Sequence, residues 1–182
     1  VYSFGSGTFG AGNFYYHRGG SPYDDEAFTV GNMDDDYVNG SERIASSSEK
    51  GPAVNIYAAG SNIISATSTT NKFTDAPYYG NASYRQCNIS GTSMASPQVC
   101  GLGALYLQAN PELTPAQLRE MIINDSTKGQ LNDTGATNYS DFDSIMGGNN
   151  RILYNRYATQ NAYSTSITGT NVGYDATNNQ KT

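Results

Sequence analysis

The sequence predicts an α/β fold in which a mostly parallel sheet is flanked by helices, followed by a polar irregular tail. Three observations point there. Val54, Ile56 and Ala58 alternate with period two, as a strand with one well-buried face does. Two stretches, Thr92–Gln108 and Pro115–Asn124, carry helical patterning with identifiable starts and stops. From Ser126 onward the chain becomes rich in Asn, Thr, Ser, Gly and Tyr and poor in aliphatic residues. A length of 182 residues suffices for one domain with a real core.

Taken in order, Val1–Gly20 is rich in Gly, Ser and aromatic residues and reads as loop or edge strand. Ala27–Gly31 reads as a short strand closing on glycine, and Asp34–Asp36 as an acidic loop. Val54–Ala58 is the second strand, expected parallel to the first. Gly60 marks a turn, and Ile63–Ile64 resumes the apolar run. Ser65–Arg85 reads as a polar loop. Its Tyr78, Tyr79 and Tyr84 either line a substrate cleft or cover the surface.

The first helix should bury Met94, Leu102, Leu105 and Tyr106. Small residues at Gly101, Gly103 and Ala104 let it lie close to a sheet. Pro97 is tolerable in a first turn, where its missing N–H has no acceptor to serve. Asn110-Pro111 stops the helix. Thr114 can then cap the second helix, Pro115 suits its first position, and Gln117 can close a capping box. Leu118, Met121 and Ile122 form its apolar stripe. Beyond it, Ile145-Met146 and Ile152-Leu153-Tyr154 look like anchoring segments, and Gly173–Thr182 like a polar tail.

The formal net charge of −6 argues against a nucleic-acid binder. No apolar run approaches the roughly 20 residues of a transmembrane helix. Val1–Gly12 has neither the basic start nor the apolar core of a signal peptide. The sequence does not begin with Met, so Val1 reads as a cleavage point or as the first residue of a piece of a longer protein. Cys87 and Cys100 read as thiols rather than a bridge, with Cys100 facing the core. Carboxylates at Asp34–Asp36 and at Asp24, Asp25 and Glu26 suit calcium in ligand type but lack a recognised spacing, so they read first as solvated loops. No cofactor is expected.

The chemistry concentrates in Ile89–Gly101. Ser93 follows a Gly-Thr turn and opens a helix of small and apolar residues. A hydroxyl so placed is held rigidly, and free N–H groups at the helix end favour developing negative charge. The run Gly91-Thr92-Ser93-Met94-Ala95-Ser96-Pro97, with Val99 and Gly101, resembles the active-site serine segment of the subtilisin-like serine peptidases (subtilases). Gln98 stands for the usual His, which is not the catalytic one, and Cys100 for the usual Ala. Ala27–Gly31 resembles the family's ITVGA strand. Ala45–Ile64 resembles its ASFSNYGPxVDIxAPGxxI segment, with Ala59 in place of Pro. Asn110–Arg119 resembles its last helix. Gly10-Ala11-Gly12-Asn13 is similar to its Ala-Ala-Gly-Asn segment, in which the Asn amide donates to the oxyanion.

This resemblance implies the C-terminal half of a subtilisin-like domain at 1–125, with a polar extension and tail at 126–182. It implies a serine endopeptidase that acts on polypeptides, with Ser93 as nucleophile and Asn13 as oxyanion donor. The family's order is Asp, His, Ser, so the triad Asp and His would be supplied upstream of Val1 or by another chain. His17, the only histidine, reads as a loop residue and not as the base. The isolated chain is then expected to be inert, and to dock on a segment carrying the N-terminal half. A fainter resemblance, to subtilase-like domains of tailed-phage structural proteins, raises the alternative of an inactive structural or interaction module. Both readings suit an extracellular or virion location better than the cytoplasm. A sedolisin-type site is disfavoured by the Met94–Pro97 continuation.

Overall fold

The computed structural model describes residues 6–9, 12–15, 27–38, 40–70, 73–135, 144–157, 174–175 and 180–181. Strands β1 (Ser6–Phe9) and β2 (Gly12–Tyr15) form an antiparallel hairpin in which Thr8 pairs with Asn13. The main sheet follows. It contains β3 (Val30–Val38), β4 (Ser41–Ile44), β5 (Ile56–Ala59), and, from late in the chain, β9 (Thr127–Lys128) and β10 (Arg151–Ile152). Its order is β4-β3-β5-β10-β9. Between β5 and the first helix lie β6 (Ile63–Thr67), β7 (Asp75–Tyr78) and β8 (Asn81–Ile89), an antiparallel sheet of order β6-β8-β7. Helices α1 (Thr92–Ala109) and α2 (Pro115–Asp125) come next. A last antiparallel pair, β11 (Tyr174–Asp175) with β12 (Gln180–Lys181), lies near the end.

The expected parallel strands stand at the centre of the main sheet. β3 pairs parallel with β5, and β5 parallel with β10. Its margins are antiparallel, β3 with β4 and β10 with β9, so the sheet is mixed. β3 also runs further than Ala27–Gly31 suggests. Asp34–Asp36 belong to this strand rather than to a loop, beside a register shift between Met33 and Tyr37. Pairing with β5 ends at Met33, so these carboxylates lie past the parallel part of the sheet and do not enter the core.

Packing on β5 explains its composition. Ile56 and Ala58 face Ala95, Val99, Leu102 and Tyr106 of α1 and Ile122 of α2. Tyr57 points the other way, into a second cluster with Met33, Ile44, Val54, Leu131 and Ile145. Both faces are covered, as is usual for a central parallel strand, where the alternation had suggested one.

The two helices match their predicted spans to within a residue at each end. Thr114 and Gln117 form the predicted capping box, with Pro115 in the first turn of α2. On α1 the buried positions are Ala95, Val99, Leu102, Gly103 and Tyr106. Leu105 and Cys100 lie off that stripe and are exposed, contrary to expectation. Cys87 is the buried thiol instead, on β8, and both cysteines are free. Gly103 serves the approach of α2: a Cβ there would lie 3.6 Å from Leu118 and 4.0 Å from Ile122. Pro97 is the sixth helical residue, not a first-turn one, and so leaves the Ser93 carbonyl without its i+4 donor.

Ser65–Arg85, expected as a loop, is mostly strand. Its residues are polar because the sheet is exposed: Ile64, Tyr79 and Tyr84 are each more than half exposed. After α2 the chain re-enters the main sheet. Leu153 N–H donates to the Tyr57 carbonyl at 2.8 Å, and the Asn149 amide donates to Val54 at 2.8 Å. Tyr106, Asp125 and Arg156 tie the far ends of both helices to this return: Tyr106 donates its phenol proton to Asp125, and Arg156 pairs with the same carboxylate. Among the described residues no helix is long and apolar enough to cross a membrane.

Candidate active site

Three close-lying segments build the Ser93 turn: the end of β5, the start of β6 and the entry to α1. Gly91 adopts φ 155° and ψ 166°, a region reserved almost entirely for glycine. Its N–H donates to the Gly60 carbonyl at 2.8 Å. Its own carbonyl accepts from Met94 at 2.9 Å and from Ala95 at 3.3 Å, the first bonds of α1. One residue earlier, the Ser90 hydroxyl accepts from the Asn62 N–H at 2.8 Å. The Gln98 side chain, one turn into the helix, donates to the Ala59 carbonyl. Gln98 thus has a structural task here, bracing the helix against the end of β5.

Gly60 is required for a different reason. A Cβ at Gly60 would overlap the Asn32 side-chain oxygen and lie 2.7 Å from the Gly91 carbonyl oxygen. Gly91 is needed for its dihedrals and Gly60 for its missing volume. Together they let the β5 end and the α1 entry touch backbone to backbone.

Ser93 is therefore the second residue of an 18-residue helix and is exposed to solvent. Thr92 and Ser93 precede the first N–H groups bonded within α1, so the helix leaves their donors free of intrahelical partners. α1 carries no charged residue, so no carboxylate of its own offsets the positive end of its dipole. Among the described residues the Ser93 hydroxyl makes no hydrogen bond. What the turn supplies is an accessible hydroxyl beside free N–H groups, with no base bonded to it among the described residues.

The other predicted residues fare differently. Asn13 is in β2, and its side chain lies outside what the structure describes. His17 and the Asp24–Glu26 group lie outside the described residues. Asp34, Asp35 and Asp36 sit on β3. Asp35 accepts from the Asn62 amide, which, with the bond from Asp34, holds its carboxyl below the usual range, while burial and the neighbouring carboxylates raise Asp34. Among the described residues no group of three or more His, Cys, Asp or Glu side chains could hold a metal ion. Tyr79 and Tyr84 are exposed, and Tyr78 packs against Tyr79 at 4.7 Å between ring centres. Sequence reasoning missed Asn32, a fully buried amide behind the Ser93 turn. Its signal was a polar residue immediately after the predicted strand Ala27–Gly31.

The model of the subtilase family (Peptidase_S8) matches residues 6–173. Serine protease AprX of Bacillus subtilis (strain 168) is 35% identical over 117 residues, covering 60% of this chain and 26% of that protein. A cuticle-degrading serine protease of Arthrobotrys oligospora is 35% identical over 133 residues, covering 72% of this chain and 26% of that protein. Among solved structures, fervidolysin from Fervidobacterium pennivorans, a keratinolytic enzyme related to subtilisin, superposes with a TM-score of 0.53 at 25% identity, over 74% of this chain and 19% of that one. A cold-adapted subtilisin-like serine proteinase gives a TM-score of 0.50 at 32% identity, over 72% of this chain and 37% of that one. The chain spans about a quarter of the length of the two curated relatives.

Proposed function

The chain belongs to the subtilase family, and from that premise we propose that Ser93 is the nucleophile of a serine endopeptidase. The observation that carries this reading is the Gly60–Gly91 contact, which presents an exposed hydroxyl at the N-terminus of an uncharged helix. In the reaction, Ser93 Oγ attacks the carbonyl carbon of a peptide bond while a base takes the hydroxyl proton. The carbonyl oxygen becomes an oxyanion. The Ser93 N–H donates to it, with the Asn13 amide as second donor. Collapse breaks the C–N bond as the base returns the proton to the leaving amine. Water then hydrolyses the acyl-enzyme by the same steps in reverse.

The base is a histidine oriented by an aspartate, both contributed by the N-terminal half of the domain, from a preceding segment or a second polypeptide. That half docks on residues 1–125, and 126–182 return from α2 to complete the same sheet through β9 and β10 before the tail. Polypeptides are the substrate class of the family. Without the base, catalysis falls by orders of magnitude, so the chain alone is inert.

Peptide hydrolysis by the full-length protein containing this chain tests the reading. Cleavage of a casein-type substrate, reduced at least about 1,000-fold by Ser93→Ala, is expected. Full activity in Ser93→Ala would overturn it. A protein that holds both missing triad residues yet cleaves nothing would favour the rival, a structural module that keeps the turn for its shape.

A further inference from the structure

We propose that Asn32 is a positioning residue for Ser93, acting through the Gly60–Gly91 contact. The proposal rests on the reading of Ser93 as nucleophile.

Asn32 is 1% exposed, a burial unusual for an amide side chain. Its backbone is satisfied: the N–H donates to Ser48 Oγ at 2.7 Å, and the carbonyl accepts from Ala45 at 3.0 Å. Its side-chain nitrogen donates to Ser61 Oγ at 3.3 Å. Its side-chain oxygen has no hydrogen-bond partner among the described residues. A buried acceptor left unpaired opposes folding, so a role confined to stability would be better served by an apolar side chain.

The position of the amide gives it another use. Its oxygen lies over the Cα of Gly60, at the place a Gly60 side chain would occupy, and the Gly91 carbonyl oxygen borders the same place. Gly60 is therefore held between the Asn32 amide and Gly91, the residue that caps α1. Through the Ser61 bond, the same amide also reaches the first residue after Gly60. Ser61 leads to Asn62, whose N–H is bonded to Ser90. The side chain of Asn32 thus supports both rungs of the clamp beneath Ser93, the Gly91–Gly60 bond and the Asn62–Ser90 bond. Alanine would leave space behind Gly60. The turn could then retreat, carrying the hydroxyl and its neighbouring N–H groups away from a common geometry, to which catalysis is sensitive at the ångström scale.

Amide hydrogen exchange in the full-length protein, wild type against Asn32→Ala, tests this without relying on activity. The amides of Asn62, Gly91, Met94 and Ala95 should exchange at least about tenfold faster in the variant. Those of Leu118 and Ile122 in α2 should stay unchanged. A rise spread equally over both groups, or no rise at all, would overturn the proposal. The rate at which a fluorophosphonate modifies Ser93 supplies the functional half. It should fall about tenfold in Asn32→Ala at an unchanged melting temperature, with kcat lowered and KM preserved. Labelling of Asn32→Ala at the wild-type rate would also overturn it. A wild-type protein that is not labelled would count against Ser93 as nucleophile, and the exchange pattern would still decide whether Asn32 holds the turn.

Discussion

β5 and β8 are both central strands of their sheets, yet they are built from opposite material. β5 reads Ile56-Tyr57-Ala58-Ala59, and its first three residues are buried from both sides. β8 is nine residues long and buries only Cys87. Burial holds β5, since each aliphatic side chain there removes apolar surface from water on a face already covered by helix or loop. β8 is held by its ladders to β6 and β7, by the Arg85–Asp75 pair across to β7, and by the clamp at its foot, where Gly91 meets Gly60 and Ser90 meets Asn62. Sheets of the second kind tolerate change on their surfaces but depend on their attachment. The Ser93 turn lies at the junction of the two, its rigidity derived from the first and its exposure shared with the second.

Mutations should separate the regions by size of effect. Ile56→Ala, fully buried between sheet and helices, should lower the unfolding free energy by about 3–4 kcal/mol in denaturant titration. Gly60→Ala should cost about 2–3 kcal/mol, because the new methyl meets backbone at Gly91 that cannot move without shifting α1. Tyr106→Phe should cost about 1–3 kcal/mol, by leaving the Asp125 carboxylate without one of its two partners. Ile64→Ser, on the exposed face of β6, should change stability by less than about 0.5 kcal/mol. A loss at Ile64 as large as that at Ile56 would show that β6–β8 is covered in the functional protein, and the comparison would fail.

The smallest effect is one of pH. Burial works to raise the Asp125 carboxyl, but the hydrogen bonds from Arg156 and Tyr106 outweigh it and leave it below its ordinary 3.8. A lowered folded value means the unfolded chain takes up the proton first. The stabilisation is complete above pH 3.8 and lost as pH falls through the folded value. Asp125→Asn should flatten the acid limb of a stability–pH profile in that range and leave its slope at neutral pH unaltered.

The same contrast decides what could be read in advance. α1 and α2 were legible because their signals are local: an Asn-Pro stop, a Thr114–Gln117 box, apolar residues at helical spacing. β5 was legible because burial writes itself into composition. The β6–β8–β7 sheet was not, since strands exposed on most positions show no alternation and resemble loop. The return of β9 and β10 to the main sheet rests on two-residue strands, too short for any periodic signal. At the site, the Ser93 turn was plain from its motif. The partnership of Asn32 with Gly60 was not, because it joins residues 28 positions apart through a missing side chain, and no local pattern encodes a contact made by an absence.

The most direct test of Ser93 as nucleophile is covalent capture. The full-length protein is treated with a fluorophosphonate and digested, and the modified peptide is sequenced by mass spectrometry. A single adduct on Ser93, absent from Ser93→Ala and from the isolated 182-residue chain, is the expected result. An adduct on a different serine, or none on Ser93 in a protein that cleaves peptides, would contradict it.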